Sequence, residues 1–142
     1  MDNIIKGDVS LVSQSGGVLG SLLSRATARG IGLSKLVATS NEADLNLADF
    51  IDYFVEDDST KIILLYIESI RHPQQFREAA LRARKAGKPI IVFKVGKSEA
   101  GMKAAISHTG AIAGSDRLYD ALFQQVGVIR ANQFADFLDI PV

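Results

Sequence analysis

The sequence contains no cysteine, and this absence narrows the chemistry that the chain can carry. Without a thiol among its 142 residues, it has no disulfides, thiolate nucleophiles or cysteine-ligated metal sites. A chain of this kind is compatible with a reducing compartment, and we expect a cytoplasmic protein. The longest apolar runs, such as residues 62–65, are far too short to span a bilayer. No basic start followed by an apolar stretch marks a secretory signal.

The chain also lacks net charge. Sixteen basic side chains balance sixteen acidic ones, and no block of lysine and arginine forms a basic stripe. The composition therefore predicts neither a nucleic-acid partner nor binding to an anionic membrane. Hydrophobic residues make up 47% of the chain and charged residues 23%, as in ordinary globular proteins. We expect residues 1–142 to form one domain with a sizeable core.

Five short aliphatic runs alternate with stretches of helical periodicity. The predicted strands are residues 9–12, 36–38, 62–67, 90–95 and 128–130. The predicted helices are a stretch that ends near Arg29 at the glycines Gly30 and Gly32, a stretch with Leu47, Phe50, Ile51 and Phe54 on one side, residues 73–86, a helix from the N-cap Ser115 to about Gln125, and residues 133–138. This alternation implies right-handed crossovers and a parallel sheet. The predicted fold is α/β, a flavodoxin-like three-layer sandwich with strand order 2-1-3-4-5 and ligands at the carboxyl ends of the strands.

The segment 96–114 interrupts the alternation, with four glycines and no clear amphipathic period. A loop this long inside a compact domain is usually functional. It contains His108, one of two histidines in the chain, and it has no apolar face on which a structural histidine could pack. A neutral imidazole, with a pKa of about 6.5, is a competent nucleophile near pH 7. Metal binding is the alternative role, but a lone histidine makes a poor metal site, so none is predicted.

Two further features follow predicted strands. Residues 15–17 read Ser-Gly-Gly and open a helix; glycines let the backbone approach an anion, and a helix start presents unpaired N–H groups. Tight packing of the turn is the alternative reason for these glycines. Glu68 ends the third strand, either as a carboxylate that orients His108 or simply as a solvated side chain. All these loops follow strands one, three and four, so the fold gathers them at one edge of the sheet.

Three motifs, in this order and spacing, resemble one family over nearly the whole chain. They are Ser13-Gln14-Ser15-Gly16-Gly17, Tyr66-Ile67-Glu68-Ser69, and Gly96-Lys97-Ser98 followed by Ser107-His108-Thr109-Gly110-Ala111. Together they resemble the succinyl-CoA-ligase-like flavodoxin domain of nucleoside-diphosphate-forming acyl-CoA synthetases, which include acetate–CoA ligases.

The resemblance implies a phosphoryl relay. In that family, phosphate attacks an acyl-CoA to give an acyl phosphate and free CoA, and a histidine then takes the phosphoryl group and delivers it to ADP or GDP on an ATP-grasp domain. By the matching motifs, His108 would be the phosphorylated residue and Glu68 its orienting carboxylate. The implied phosphate-binding residues are Ser15, Gly16, Gly17, Thr109 and Gly110.

The same resemblance implies a larger enzyme. Its CoA-binding Rossmann domain and its ATP-grasp domain have no counterpart in these residues, so we expect a domain excised from a longer protein. CoA, ADP or ATP, and Mg²⁺ are then expected in the complete enzyme, and no cofactor in this domain alone. Phosphate or an acyl phosphate is the expected small-molecule partner.

Two other functions remain open. Protein lysine acetyltransferases with a synthetase-like portion contain the same domain as a regulatory or binding module, in which the histidine is commonly replaced. Flavin-binding and response-regulator domains share the fold. A response regulator, however, needs acidic residues at the end of the first strand, where this chain has Ser13 and Gln14.

Overall fold

The computed structural model describes residues 4–96 and 116–141 of the chain. Within these ranges the strands are β1 (Lys6–Ser13), β2 (Leu33–Ala38), β3 (Ile62–Ile67), β4 (Ile90–Lys94) and β5 (Ile129–Arg130). The helices there are α1 (Gly16–Ala28), α2 (Leu47–Glu56), α3 (Pro73–Lys85), α4 (Asp116–Val126) and α5 (Phe134–Asp139). None of these helices has both the length and the hydropathy that crossing a bilayer requires.

The strands form one parallel sheet in the order β2-β1-β3-β4-β5. The predicted α/β flavodoxin-like fold is therefore confirmed. In the centre of the sheet Val12 pairs with Leu65, and Leu65 pairs with Val92. Because all strands run in one direction, their carboxyl ends meet at one edge, which we call the carboxyl edge; the opposite one is the amino edge.

Helices cover both faces of the sheet, as a three-layer sandwich requires. On one face Phe54 of α2, Phe76 of α3 and Phe123 of α4 belong to one buried cluster. On the other face Leu22 of α1 and Phe137 of α5 belong to a second. Each such side chain contributes about 1.5–3 kcal/mol through burial. The consecutive apolar residues of β3 follow from this arrangement, because both of its faces are covered.

The structure extends the first two predicted strands toward their amino ends. β1 begins at Lys6 and not at Val9, and β2 begins at Leu33 and not at Leu36. The backbone N–H of Leu33 donates to the carbonyl of Ile5 at 2.8 Å, so pairing starts well before the aliphatic run. The apolar pattern missed this part because β2 is an edge strand, whose polar residues can face solvent.

Two glycines that the sequence treats alike have different roles. Gly30 ends α1 as predicted, with a φ of +72° that favours glycine. Gly32 instead allows a close approach of two strands: a Cβ there would lie 2.7 Å from the Cα of Gly7. The prediction that Gly32 belongs to the helix stop is therefore wrong, because it is the contact of its backbone, just before β2, with Gly7 of β1 that excludes a side chain.

Candidate active site

The turn between β1 and α1 is held by its own serines. Ser13 Oγ donates to the carbonyl of Ser15 at 2.7 Å, and the N–H of Ser15 donates back to Ser13 Oγ at 3.1 Å. Ser15 is the N-cap of α1, and its side chain accepts a long bond, 3.4 Å, from the N–H of Val18. The start of α1 is thus fixed at the carboxyl edge, at the end of β1.

Gly16 and Gly17 form the exposed start of α1. Neither has a positive φ, and a Cβ built on either one meets no atom of the described residues within 4 Å. Tight packing within those residues therefore does not explain the two glycines. They leave open space beside the first-turn N–H groups, and the first turn has no acidic residue to offset the positive end of the dipole.

The side chain of Gln14 ties this turn to the loop after β3. Its Oε1 accepts from the N–H groups of Glu68 at 2.6 Å and Ser69 at 3.1 Å. Its Nε2 donates to the carbonyl of Ser69 and to Glu42 Oε1, each at 2.8 Å. Gln14 is 8% exposed, and its bonds with Glu68 and Ser69 are buried, so they fix the relative positions of the two loops. The sequence analysis gave Gln14 no role in the site.

Glu68 lies directly after β3 and is 9% exposed. The alternative of a solvated carboxylate is therefore wrong. Burial, and secondly the charge of Glu68, raise the pKa of the Tyr66 phenol. Because Gln14 precedes Ser15 and binds the N–H of Glu68, Glu68 and the start of α1 share one site.

Lys94 is a second buried charged residue at this edge, and the sequence analysis missed it. It is the last residue of β4, pairs with Ile67 and is 4% exposed. Its Nζ donates to the carbonyl of Val95 and lies 4.6 Å from the centroid of the Tyr119 ring. The available signal was a charge at the end of an apolar strand, the same signal that identified Glu68.

The neighbours of Lys94 act on its charge in opposite directions. Burial is the main influence and lowers the pKa of the ammonium. Asp116 and Glu68 raise that pKa, whereas Arg130 lowers it. The ammonium therefore lies within electrostatic range of carboxylates from α4 and from the loop after β3.

The first turns of α4 are attached to the same edge. Arg130 of β5, whose side chain is 9% exposed, forms ion pairs with Asp116 at 2.6 Å and with Asp120. The hydroxyl of Tyr119 accepts a bond from the N–H of Ile70 at 3.2 Å. These contacts join α4 to β5 and to the loop that begins with Glu68.

The loop between β2 and α2 contributes a further carboxylate, that of Glu42. Ser40 and Glu42 have φ values of +51° and +52°, a conformation that is disfavoured without glycine and often found at functional sites. Burial raises the pKa of Glu42, while its bond with Gln14 and the charges of Arg71 and His72 oppose that shift. His72 itself is exposed at the start of α3, as the sequence predicts.

The described residues thus bring Ser15, Gly16, Gly17 and Glu68 to one edge. His108, Thr109 and Gly110, together with the predicted N-cap Ser115, lie outside the described ranges, and their roles stay predictions. Among residues 4–96 and 116–141, no group of three His, Cys, Asp or Glu side chains could hold a metal ion. The arrangement suits binding of an anion by backbone N–H groups beside a carboxylate and an ammonium.

Known proteins are similar to this chain in both sequence and fold. Residues 6–141 match the family described as succinyl-CoA ligase like flavodoxin domain. The chain is 44% identical over 135 residues to an ADP-forming acetate–CoA ligase of Methanocaldococcus jannaschii. The aligned region covers 95% of this chain and 19% of the relative. It is 42% identical to subunit alpha of ADP-forming acetate–CoA ligase I of Pyrococcus furiosus, covering 96% of this chain and 29% of that one.

A solved structure is similar throughout the domain. It is described as the dinucleotide forming acetyl-coenzyme A synthetase 1 of Ca. Korarchaeum cryptofilum in complex with phosphate and ADP. The TM-score is 0.91 at 38% identity, over 96% of this chain and 30% of the other. The chain therefore spans less than a third of the length of each of these relatives.

Proposed function

Because the chain belongs to the succinyl-CoA ligase like flavodoxin domain family and its relatives include ADP-forming acetate–CoA ligases, we propose that it is the phosphohistidine-carrying domain of an NDP-forming acyl-CoA synthetase. The complete enzyme converts an acyl-CoA, phosphate and a nucleoside diphosphate reversibly into a carboxylic acid, CoA and a nucleoside triphosphate. His108 accepts the phosphoryl group and passes it on.

The transfer to His108 balances without an added proton. A ring nitrogen attacks the phosphorus of the acyl phosphate, and the bond from phosphorus to the acyl oxygen breaks as its electron pair leaves with the carboxylate. The other ring nitrogen keeps its proton and donates it in a hydrogen bond to Glu68, which stabilises the positive charge that develops on the ring. In the second step a terminal oxygen of the nucleoside diphosphate attacks the phosphorus, and the P–N bond breaks.

The observation that carries this proposal is the open start of α1 beside a buried carboxylate. Phosphoryl transfer depends mainly on positioning and on stabilising charge. The N–H groups of Gly16 and Gly17 supply donors at the positive end of the helix dipole, and Ser15, whose own N–H is bonded to Ser13 Oγ, caps the helix beside them. Gln14 holds them at a fixed position relative to Glu68. We assign Thr109 and Gly110 to the same phosphate site on the sequence motif.

The other reactants bind elsewhere in the complete enzyme under this proposal. CoA binds to a Rossmann domain, and the nucleotide with Mg²⁺ to an ATP-grasp domain, in the same chain or in another subunit. The coverage of 19% and 29% of the two ligases supports further domains. This domain then holds no cofactor alone, acts in the cytoplasm, and makes no acyl-CoA when mixed by itself with ADP, CoA and acyl phosphate.

The test is to incubate the complete synthetase with labelled ATP and look for an acid-labile, base-stable phosphoryl adduct. We expect His108→Ala to abolish the label, because the accepting nitrogen is gone, and Glu68→Gln to weaken it severely. The control His72→Ala keeps the label, since that side chain is exposed at the start of α3. A label that persists in His108→Ala contradicts the assignment, and a regulatory module of a lysine acetyltransferase forms no such adduct.

A further inference from the structure

We propose that the Lys94 ammonium is the counter-charge that allows a phosphoryl anion to lie beside the carboxylate of Glu68. This inference rests on the proposed function, because it concerns the same site. A phosphoryl group brings up to two negative charges next to a buried carboxylate, and their repulsion is strong where water is scarce. The helix start offsets part of that charge, and a full positive charge offsets considerably more.

The position of Lys94 follows from the strand register. Lys94 pairs with Ile67, so its backbone is beside the residue that precedes Glu68. Its Nζ donates to the carbonyl of Val95, which means that the side chain bends toward the carboxyl edge. The ring of Tyr119 covers the ammonium at 4.6 Å.

Tyr119 also connects the ammonium with the loop of Glu68. Its hydroxyl accepts a bond from Ile70 N at 3.2 Å, while its ring faces Lys94. One aromatic side chain therefore contacts both the loop that carries the carboxylate and the cation. This arrangement holds the two charges in a fixed relation within a buried region.

The charges around Lys94 leave a specific role for it. Burying a lysine is costly, and neither the Val95 carbonyl nor the Tyr119 ring cancels its charge. Asp116 is bonded to Arg130 at 2.6 Å, and Arg130 also pairs with Asp120, so the carboxylates of α4 already share a cation of their own. Lys94 thereby adds a positive charge within electrostatic range of Glu68, and an incoming phosphoryl anion meets that ammonium as well as the carboxylate.

The first test is Lys94→Met in the complete synthetase, with the rate of phosphohistidine formation from labelled ATP as the readout. We expect a drop of at least about tenfold, by comparison with the loss of one preorganised electrostatic group. Methionine has a similar length and is flexible, so it can fill the same space without the charge. Lys94→Gln is a second neutral variant with the same expected loss, and thermal unfolding checks that each variant folds.

The matched control is Lys85→Met. Lys85 is exposed in the last turn of α3, at the amino edge, so this variant removes the same charge far from the site. We expect its phosphorylation rate to equal that of the wild type. A loss as large as that of Lys94→Met would show that overall charge matters and would overturn the proposal.

The pH dependence separates a charge effect from a structural one. Burial lowers the pKa of Lys94 below its ordinary value, with Asp116 and Glu68 opposing that shift and Arg130 adding to it. The ammonium is charged below its pKa, so the wild-type rate falls as the pH rises through that value, in a range below about 10.5. We expect no such decline in Lys94→Met. If Lys94 only filled space, the variant and the wild type would have the same pH profile.

A double variant tests the link to Glu68. If Lys94 compensates that carboxylate, adding Lys94→Met to Glu68→Gln reduces the rate by a smaller factor than in the wild type. Strictly multiplicative losses would overturn the counter-charge role. A wild-type enzyme that forms no phosphohistidine refutes the proposed function itself, whereas a Lys94→Met enzyme that matches the wild type at every pH refutes only this inference.

Discussion

The two edges of the sheet use similar polar groups in different ways. At the amino edge, Asp57 accepts bonds from Lys35 Nζ at 2.6 Å, from Ser59 Oγ at 2.8 Å and from the Thr60 hydroxyl. Nearby, the ammonium of Lys88 donates to the carbonyls of three residues, each at 2.8 Å. There the donors and acceptors bind one another, and the cluster closes the connection from α2 to β3.

At the carboxyl edge the polar side chains position backbone and leave donors accessible. Gln14 uses its amide to hold two loops together, while the start of α1 at Gly16 and Gly17 stays open. The comparison shows that burial of polar groups does not by itself mark a site. What distinguishes a site is whether the network leaves charge and N–H groups directed at open space.

The largest effect that tests this contrast is expected for Gln14→Leu. The change leaves the buried N–H groups of Glu68 and Ser69 without their acceptor, which costs about 2–4 kcal/mol in the free energy of unfolding. It also releases the loop of Glu68, so phosphohistidine formation falls. Urea denaturation of the chain and labelling of the complete synthetase measure the two effects.

Gln74→Leu is the control for this variant. Gln74 is exposed on α3 and bonds only with Glu78 within the described ranges, so its loss changes stability by no more than about 0.5 kcal/mol. A Gln14→Leu enzyme with reduced stability and a normal label would show that phosphorylation does not require Gln14 to link the two loops. It would contradict the proposed difference between the two edges of the sheet.

The next effect is expected for Thr60→Val at the amino edge. The Thr60 hydroxyl bonds with buried Ser10 at 2.7 Å and with Asp57, and losing it costs about 1–2 kcal/mol of stability. Because this cluster is closed on itself, the label per folded molecule stays at the wild-type level. Any substantial change in labelling would mean that the two edges are coupled.

A smaller effect with the opposite sign is expected for glycines of α1. Alanine at Gly17 or at Gly20 meets no atom of the described residues within 4 Å, so each variant gains about 0.5–1 kcal/mol of stability in a helix. Gly17→Ala narrows the approach to the N–H groups and lowers the rate of labelling, whereas Gly20→Ala, one turn further along, does not. Equal labelling in both variants would contradict anion binding at the start of α1.

The smallest effect concerns acid stability at the amino edge. The bond with Lys35, followed by the bond with Thr60, lowers the pKa of Asp57 below its ordinary range. The resulting stability is present above the unfolded pKa of about 3.9 and is lost as the pH falls toward the lower folded value. Asp57→Asn therefore loses less stability than the wild type between pH 5 and pH 2, on the order of a partly exposed ion pair; denaturation curves across that range measure it. If the stabilities of Asp57→Asn and the wild type fell equally between pH 5 and pH 2, the role given to Asp57 would be contradicted.

Local pattern was enough to predict the order of the elements. The unbroken apolar residues of β3 and the helical spacing of Phe76, Ala80 and Ala83 each report directly on burial, and burial decides these elements. The polar beginning of β2 could not be recognised in this way, because an edge strand takes its pairing from β1 and not from an apolar face. The role of Gly32 likewise depends on Gly7, which lies far away in the chain.

The candidate site was predictable only where a single residue carries the signal. Glu68 is conspicuous as a charge after an apolar strand, and Gly16 and Gly17 are conspicuous as two glycines at a helix start. The role of Gln14 depends on partners 28 to 55 residues away in the chain, which no local pattern contains. Lys94 gave a visible signal, but its relation to Tyr119 appears only when α4 is packed against the sheet.

The two residues of β5 have a consequence for the behaviour of the protein in concentrated solution. This strand is the border of the sheet, and it pairs with β4 only through Ile129 and Arg130. Such a short border offers almost no free backbone to which a strand of another molecule could add. At the other border, Lys35 places a charged side chain on β2. The pairing of β2 with β1 is also irregular near Val9. Both sides of the sheet therefore resist growth into fibrils.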